Sequence, residues 1–303
     1  MKYRVVKHYA FYLVVGFFTL CWGCANQINI KHTATKILGH RGSGANAISV
    51  FKENTLPSVK NAFEMLDGAE VDVQCSKDGT IWLYHDAGLP ENGLHLLCVA
   101  MSYDEELINL TNQDTSLILT KLEEVFVLMS QMEKTPYLSL DVKGHFPNGC
   151  FENSNALLKY FELMAQNLIQ LLEKYTLHQH VIVETNYQYF LDLMLAQNPR
   201  IECFYLGYNN FSKCLGTAIE KSYQGISFNF RDSDFKKEDI DKAHKKGLKV
   251  MLWTINKKED FDKIISWNPD YIQTGNIEYG KEFLEKQSKS LVVNSTSAHL
   301  QSQ

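Results

Sequence analysis

The chain has 303 residues, a length that suits one barrel-sized domain. Hydrophobic residues make up 45% of the chain and charged residues 21%, which excludes a protein that is disordered throughout. The formal net charge of −5 argues against a nucleic-acid backbone as the main partner, although it allows a small phosphate ester in a local cationic pocket.

Residues 1–24 form a candidate export signal. Three basic residues stand among the first seven, and the apolar run 10–20 has the length of a signal-peptide core rather than of a membrane-spanning helix. Gly23 precedes Cys24 as a small residue does at the lipidation site of bacterial lipoproteins. We therefore expect an exported protein, either periplasmic or attached to the membrane through a lipidated Cys24. Plain secretion and an uncleaved anchor are the alternatives.

Composition divides the rest of the chain into three parts. Residues 25–36 are polar and predict a short tether, and residues 287–303 predict a disordered tail. Between them lies neither a low-complexity linker nor a repeat, so we expect one domain over 37–286. Five cysteines follow the leader at irregular spacings without a CxxC pair, a pattern that favours buried or free thiols over a zinc site or a dense disulfide framework.

Short apolar runs rich in β-branched residues alternate with helical patterns through this domain. Nine runs predict strands: Ile37–Leu38, Ala69–Gln74, Thr80–Tyr84, Tyr137–Val142, His180–Glu184, Glu202–Leu206, Gly225–Phe228, Lys249–Trp253 and Tyr271–Thr274. Helical patterns include Thr55–Leu66, Leu122–Met132, Asn155–Tyr175 and Glu238–Lys246. This alternation predicts an α/β fold with a parallel sheet, and eight strand–helix units would close it into a (β/α)8 TIM barrel.

The run Thr80–Tyr84 is the extra strand, because it follows its predecessor too closely for a crossover helix. The intervening Asp78-Gly79 is a strong signal for a tight hairpin. A two-residue turn there would place Asp72 directly opposite His85 and on the same face as Glu70. A bulge would change this register, so the pairing is a hypothesis.

The region Gly88–Ser116 follows the strand that ends at His85-Asp86 and replaces a simple link to the next helix. Its length predicts a small insertion that caps the mouth of the barrel and gates the substrate.

Charged clusters end three of the predicted strands. In a parallel barrel the carboxyl ends of the strands share one rim, whereas strand interiors are normally apolar. Glu70, Asp72 and Asp141 offer hard oxygen ligands, which suit Mg²⁺ or Ca²⁺ better than zinc.

The same strand ends carry groups that handle protons and phosphate. His40 and His85 can move protons near neutral pH, and Arg41 and Lys143 can hold a phosphate. A divalent cation, two imidazoles and two basic side chains fit phosphoryl transfer. The cation neutralises the nonbridging oxygens, one imidazole accepts a proton, and the other gives a proton to the leaving alkoxide.

Short motifs in a fixed order identify a family. They are His40-Arg41-Gly42, Glu53-Asn54-Thr55, Gly68-Ala69-Glu70-Val71-Asp72-Val73, Asp78-Gly79, His85-Asp86, Thr120-Lys121-Leu122-Glu123-Glu124-Val125, Leu140-Asp141-Val142-Lys143 and Trp253-Thr254-Ile255-Asn256. In this order and spacing, over residues 37–286, the chain resembles the glycerophosphodiester phosphodiesterases. The resemblance implies a TIM barrel, one divalent cation, and cleavage of glycerol-linked phosphodiesters to glycerol phosphate and an alcohol.

The resemblance also implies roles for single residues. The acid/base pair would be His40 and His85. The metal ligands would be Glu70, Asp72 and Asp141. Phosphate would be bound by Arg41 and Lys143.

Two further residues have alternative interpretations. Glu53 either contributes to substrate binding or lies in the first turn of the following helix, where its charge would meet the helix dipole. Trp253 either forms an aromatic wall for the substrate or packs inside the barrel.

Three positions depart from the family pattern: Asp141 replaces Glu, Lys52 replaces Pro, and Gly275 replaces Asp. Asp141 and Gly275 leave open a surface protein that binds phosphodiesters without turnover. A phospholipase that acts on intact lipid head groups is the other alternative, because related barrels share two histidines and an acidic metal site.

Overall fold

Eight parallel strands close into a barrel in the computed structural model, which describes residues 34–44, 49–91, 95–114, 116–144, 151 and 153–287. These residues belong to the unit Lys31–Gln303, and the predicted leader, most of the tether and the tail beyond 287 lie outside them. The strands are β1 Lys36–Gly39, β2 Gly68–Cys75, β3 Ile81–Leu83, β4 Leu89–Glu91, β5 His95–Leu97, β6 Thr120–Lys121, β7 Tyr137–Val142, β8 Val181–Thr185, β9 Glu202–Gly207, β10 Gly225–Asn229, β11 Lys249–Trp253 and β12 Tyr271–Thr274. The ring follows the order β1-β2-β7-β8-β9-β10-β11-β12, and β1 pairs with both β2 and β12. The predicted TIM barrel is confirmed.

Helices lie between the barrel strands and cover their outer side. They are α1 Leu56–Met65, α2 Asp104–Gln113, α3 Leu122–Gln131, α4 Ser154–Tyr175, α5 Gln188–Gln197, α6 Phe211–Glu220, α7 Lys237–Lys245 and α8 Lys258–Ile265, with a last helix over 277–287. The four helices that the sequence predicted are all present. Among the described residues, no helix has both the length and the apolar character needed to cross a membrane.

Helix α1 illustrates how the sequence sets an element that borders the site. Thr55 caps the helix with an extended backbone at φ −116°, and its hydroxyl accepts a hydrogen bond from the Ser58 amide at 3.4 Å. Val59, Ala62 and Phe63 recur at helical spacing and are buried against the sheet. The helix therefore begins directly after Glu53 and Asn54, which fixes those two residues at the rim.

The hairpin after β2 has a register one residue away from the predicted one. β2 and β3 are antiparallel, as expected, but Gln74 pairs with Trp82 and the Tyr84 amide donates to the Asp72 carbonyl oxygen at 3.0 Å. The loop contains three residues rather than two, and Gly79 takes the left-handed conformation at φ +86°, which a three-residue hairpin loop requires. Asp72 is therefore opposite Tyr84, and His85 lies just beyond the paired strand.

The insertion (residues 88–116) has its own small core. It contains the β4–β5 hairpin, a 3-10 turn at Val99–Met101 and α2. This core is an apolar cluster in which Leu89, Val99 and Leu107 of the insertion pack with Trp82 of β3 and with Leu117.

The cysteines divide into two groups. Cys75, Cys203 and Cys214 are free and buried, as the sequence predicted. Cys98, in the insertion, is disulfide-bonded, which corrects the expectation of a free thiol there. The reason is that pairing depends on which chain segments meet in space, and irregular spacing in the sequence carries no such information.

The inside of the barrel changes from apolar to polar along the strand direction. Its apolar part is the cluster of Leu38, Ile182, Phe204, Met251 and Tyr271. Because alternate residues of a strand face the same side, the next inward positions are Glu184 after Ile182 and Gln273 after Tyr271. The polar groups thus collect toward the carboxyl ends of the strands, where active sites of this fold are found.

Candidate active site

Three carboxylates from two neighbouring strands meet at this rim. Glu70 and Asp72 lie on β2, and Asp141 lies on the neighbouring strand β7, paired in register with Asp72. One carboxylate oxygen from each of the three lies within 4.8 Å of the others, and Glu70 and Asp72 are buried. The parallel register therefore brings together the three residues that the sequence predicted as metal ligands.

Lys143 supplies a positive charge inside this cluster. Its Nζ lies 2.7 Å from Asp72 Oδ1 and 2.5 Å from Asp141 Oδ2. Burial opposes the charge of the ammonium, but Asp141 and Asp72 together raise the pKa of Lys143 above its usual value. The two carboxylates thus already share a cation in the structure.

The pKa values of the three carboxyl groups differ because their surroundings differ. Burial first, and then repulsion from Asp72, raises the pKa of Glu70 well above its usual value, and burial also raises the pKa of Asp141. Burial has the same tendency at Asp72, but Lys143 and Arg41 outweigh it and hold the pKa of Asp72 at about 2. An additional cation would relieve the repulsion among these groups.

His40 stands at the end of β1. Its amide donates to the Thr274 carbonyl oxygen at 2.8 Å, and its Nε2 lies 3.8 Å from Glu70 Oε2. Burial is the main cause that lowers the pKa of His40 to about 3, so the imidazole is neutral at physiological pH.

Arg41 turns the chain after His40 with a left-handed backbone at φ 53°. Its amide donates to Glu70 Oε2 at 2.9 Å, and its Nη1 donates to both oxygens of Glu53 at 3.1 and 3.2 Å. The guanidinium also lies 3.3 Å from Asp72, measured between Nε and Oδ2. Glu53 precedes the Thr55 cap and so lies outside the helix, which makes the helix-dipole interpretation wrong.

His85 follows β3 and completes the cluster. Its Nδ1 lies 2.8 Å from Asp86 Oδ1, a contact that orients the ring. His85 is close enough to act electrostatically on Asp72, Asp141 and His40. The structure thus brings both predicted histidines to the three carboxylates even though the predicted strand register was wrong.

Trp253 lies half-buried at the end of β11. Its indole ring packs edge-on against Tyr208 at a centroid distance of 5.4 Å. Its Nε1 is buried, with no hydrogen-bond partner among the described residues. Tyr208 is near enough to the site that the charges of Asp141 and Lys143 act on its phenol.

Two polar residues next to the carboxylates were not predicted. Asn54 donates from Nδ2 to Asp72 Oδ2 at 2.7 Å and accepts from the Asp72 amide at 3.0 Å. Glu184 on β8 pairs in register with Asp141 and is fully buried. Both carried a signal in the sequence, since Asn54 belongs to the motif with Glu53 and Glu184 is a charge at the end of a predicted strand.

Glu184 is held by neighbours inside the barrel. Its Oε1 accepts from the Ser139 hydroxyl at 2.7 Å and from Gln273 Nε2 at 2.6 Å. Burial, followed by repulsion from Asp141, raises the pKa of Glu184 to about 7. The group therefore adds a carboxyl of variable charge directly beside the candidate metal ligands.

The barrel and its rim of carboxylates, imidazoles and basic side chains define a TIM-barrel phosphodiesterase. The chain belongs to the glycerophosphoryl diester phosphodiesterase family, whose model matches residues 40–279.

Individual relatives agree with this family. A glycerophosphodiester phosphodiesterase of Caldanaerobacter subterraneus subsp. tengcongensis is 25% identical over 248 residues, covering 79% of this chain and 93% of the relative. The fold is similar to that of a glycerophosphodiester phosphodiesterase of Thermotoga maritima, with a TM-score of 0.61, 22% identity, and coverage of 84% of this chain and 99% of that one. It is also similar to a phosphodiesterase of Oleispira antarctica solved with the product sn-glycerol-3-phosphate, with a TM-score of 0.63, 20% identity, and coverage of 83% and 97%.

Proposed function

We propose that the protein hydrolyses glycerophosphodiesters to glycerol phosphate and an alcohol, using a divalent cation and two histidines. The observation that carries this proposal is the cluster of Glu70, Asp72 and Asp141, whose oxygens lie within 4.8 Å of one another beside His40 and His85. Membership of the phosphodiesterase family supports the substrate class.

The residues of the cluster fit a Mg²⁺ or Ca²⁺ ion. Carboxylate oxygens are the ligands that both ions prefer, and Asp72 is kept ionised by its basic neighbours. The contacts of the Lys143 ammonium with Asp72 and Asp141 support the proposal, because the two carboxylates attract positive charge. When bound, the cation would neutralise the charge of the phosphate oxygens.

The two histidines have different surroundings, which supports different roles. His40 is only partly exposed and its imidazole is neutral, so it can accept a proton from the attacking hydroxyl, whether of water or of the substrate itself. His85 is more exposed and held by Asp86, so it can exchange protons with solvent and donate one to the leaving alkoxide.

Basic and aromatic side chains would hold the substrate. Arg41 and Lys143 are the candidate phosphate ligands, and each forms ion pairs with carboxylates in the structure. Glu53 orients the guanidinium of Arg41 through two hydrogen bonds. Trp253, half-buried at the end of β11 beside Tyr208, would form an aromatic wall for the substrate.

The decisive experiment measures glycerol phosphate release from glycerophosphocholine and glycerophosphoethanolamine by the full-length protein. Assays would contain Mg²⁺, Ca²⁺ or a chelator. We expect metal-dependent release and a loss of roughly 10²–10⁴-fold in His40→Ala and His85→Ala, the range of a general acid or base. His178→Ala is the matched control, since His178 lies before β8, at the opposite end of the barrel.

Two results would contradict the proposal. Full activity in chelator would exclude the metal-dependent mechanism. Absence of release from any glycerophosphodiester by folded, metal-loaded protein would favour intact lipids as substrates or binding without turnover.

We also propose that the protein is exported and lipidated at Cys24. The basic start, the apolar run and Cys24 support this proposal, and so does the disulfide at Cys98, because disulfides persist in oxidising compartments. Fatty-acid labelling of cells that express the chain should mark the wild type and not Cys24→Ala. A wild-type chain that stays unlabelled in the cytoplasm would exclude lipidation and export.

A further inference from the structure

A buried glutamine lies near the end of the strand that carries two of the carboxylates. Gln74 follows Asp72 by two residues on β2, so both side chains point to the same face of the strand. The Gln74 side chain is fully buried. Because a buried amide costs free energy unless its polar atoms are hydrogen-bonded, its contacts indicate what this residue does.

The amide nitrogen of Gln74 binds the backbone on both sides of His85. Its Nε2 donates to the Tyr84 carbonyl oxygen at 3.1 Å and to the Asp86 carbonyl oxygen at 2.7 Å. Only the NH₂ end of the amide can donate to two carbonyl oxygens, which fixes its orientation. Both hydrogens of the amide therefore go to the residues directly before and directly after His85.

The amide oxygen of Gln74 contributes no such contact. Oε1 is buried and accepts no hydrogen bond from the described part of the chain. A methionine would fill a similar volume without burying an oxygen that lacks a partner, and so would avoid this cost. What the amide adds at this position is thus the pair of contacts made by its nitrogen.

These contacts hold a segment that lies beyond the regular strand. β3 ends at Leu83, two residues before His85. Asp86, whose carbonyl oxygen Gln74 holds, also places its Oδ1 2.8 Å from His85 Nδ1. Gln74 therefore acts on the imidazole in two ways, through the backbone that directs the His85 side chain and through the carboxylate that orients its ring.

We propose that Gln74 is a positioning residue that sets the place of the His85 imidazole relative to the carboxylate cluster. The proposal rests on the proposed function, since His85 is the residue that would protonate the leaving alkoxide. Gln74 belongs to the same strand as Glu70 and Asp72, so β2 fixes the candidate metal ligands and the proton donor together. A displacement of about 1 Å in such a group can cost about 10²-fold in rate.

The test compares two diesters whose leaving groups differ in their need for a proton. The alkoxide of glycerophosphocholine needs a proton as it leaves, whereas the nitrophenolate of glycerol p-nitrophenyl phosphate is stable as an anion. Gln74→Met should lower kcat for glycerophosphocholine by up to about 10²-fold and kcat for the nitrophenyl diester much less. His85→Ala should show the same contrast between the two diesters.

Two further variants complete the comparison. Gln74→Asn keeps an amide but is too short to keep both contacts, so it should change the two rates in the same direction as Gln74→Met. Gln224→Met is the matched control and should leave both rates unchanged. The Gln224 side chain also binds backbone, accepting from the Cys203 amide at 2.8 Å, but it lies at the amino end of β10.

A spectroscopic measurement separates the position of His85 from the stability of the fold. The ring signals of His85 in ¹H–¹⁵N spectra are identified by their loss in His85→Ala. They should shift or broaden in both Gln74 variants and stay in place in Gln224→Met. Thermal unfolding of the same samples checks that each variant is folded under the assay conditions, and Gln74→Asn replaces Gln74→Met in every comparison if the latter is not.

The possible results distinguish the two proposals. Equal losses on both diesters, or His85 signals that are unchanged in the folded Gln74 variants, would overturn the positioning role. Displaced His85 signals in a protein that cleaves neither diester would support the positioning role, and only the proposed function would fall.

Discussion

Single side chains next to the carboxylates of the site hold them in place. Asn54 is the clearest example, because its amide group binds both the side chain and the backbone of Asp72. An amide that fixes a metal ligand typically changes metal affinity or activity by 10–100-fold when it is removed.

We therefore expect Asn54→Ala to raise the Mg²⁺ or Ca²⁺ concentration needed for half-maximal activity by about 10–100-fold. Metal titration of activity measures this change. Asn198→Ala is the control, because Asn198 is also a buried asparagine but binds the Arg200 amide at the amino end of β9. Equal metal requirements in Asn54→Ala and the wild type would rule out this role for Asn54.

The raised pKa of Glu184 predicts that the free energy of unfolding of the metal-free protein depends on pH. Its pKa is raised from 4.5 to about 7 in the folded state, chiefly by burial. Below pH 4.5 both states hold the proton, so the contribution to stability is fully present there. As the pH rises toward 7 the unfolded chain ionises first, and the contribution is lost.

The free energy of unfolding should therefore fall more between pH 5 and pH 8 in the wild type than in Glu184→Gln, by up to about 3 kcal/mol. Urea unfolding in the presence of chelator provides the measurement, since a bound cation would stabilise the ionised form. Parallel pH profiles for the two proteins would show that Glu184 is ionised in the folded state.

At the scale of elements, the hairpin loop between β2 and β3 depends on Gly79. Its φ of +86° is unfavourable for other residues, and a Cβ at this position would lie 2.7 Å from Asn167 Nδ2. Gly216 offers a contrast, because it lies inside α6 and a Cβ there would meet nothing within 4 Å.

We expect Gly79→Ala to lower the free energy of unfolding by about 1–2 kcal/mol. Gly216→Ala should raise it by about 0.5–1 kcal/mol, because alanine is the better helix former. Denaturant unfolding measures the change in the free energy of unfolding in both variants. A neutral effect at Gly79 would mean that the loop can adopt another turn.

Most elements could be predicted because apolar runs and helical spacing persist along whole strands and helices. The register of the hairpin could not, since Asp78-Gly79 suits both a two-residue and a three-residue loop. Asp72 and Asp141 were recognisable because each interrupts an apolar strand beside other polar motifs. Glu184 stands alone in its strand, and only the register between β7 and β8 places it next to Asp141.

At the scale of the whole molecule, the site connects distant parts of the chain. Its side chains come from the ends of β1, β2, β3 and β7, strands that the closed sheet joins into one unit. An ion bound by Glu70, Asp72 and Asp141 would therefore stabilise the barrel as a whole, because it binds the folded state alone.

We expect Mg²⁺ or Ca²⁺ at 100 times its Kd to stabilise the protein by about 2.7 kcal/mol. For a domain of this size that corresponds to an increase of about 5–10 °C in Tm, measured by thermal unfolding against a chelator sample. Asp72→Asn, which removes a proposed ligand, should show no such increase. An equal increase in the variant would place the ion elsewhere.

The ammonium of Lys143 lies between Asp72 and Asp141 and should determine how the protein behaves when no ion is bound. A cluster of buried carboxylates without any cation would tend to push the strands apart. Lys143 works as an internal counter-ion, so the barrel should remain assembled when the proposed ion is absent. Loss of the ion should then behave as a reversible off state, from which activity returns on mixing with fresh cation and without refolding.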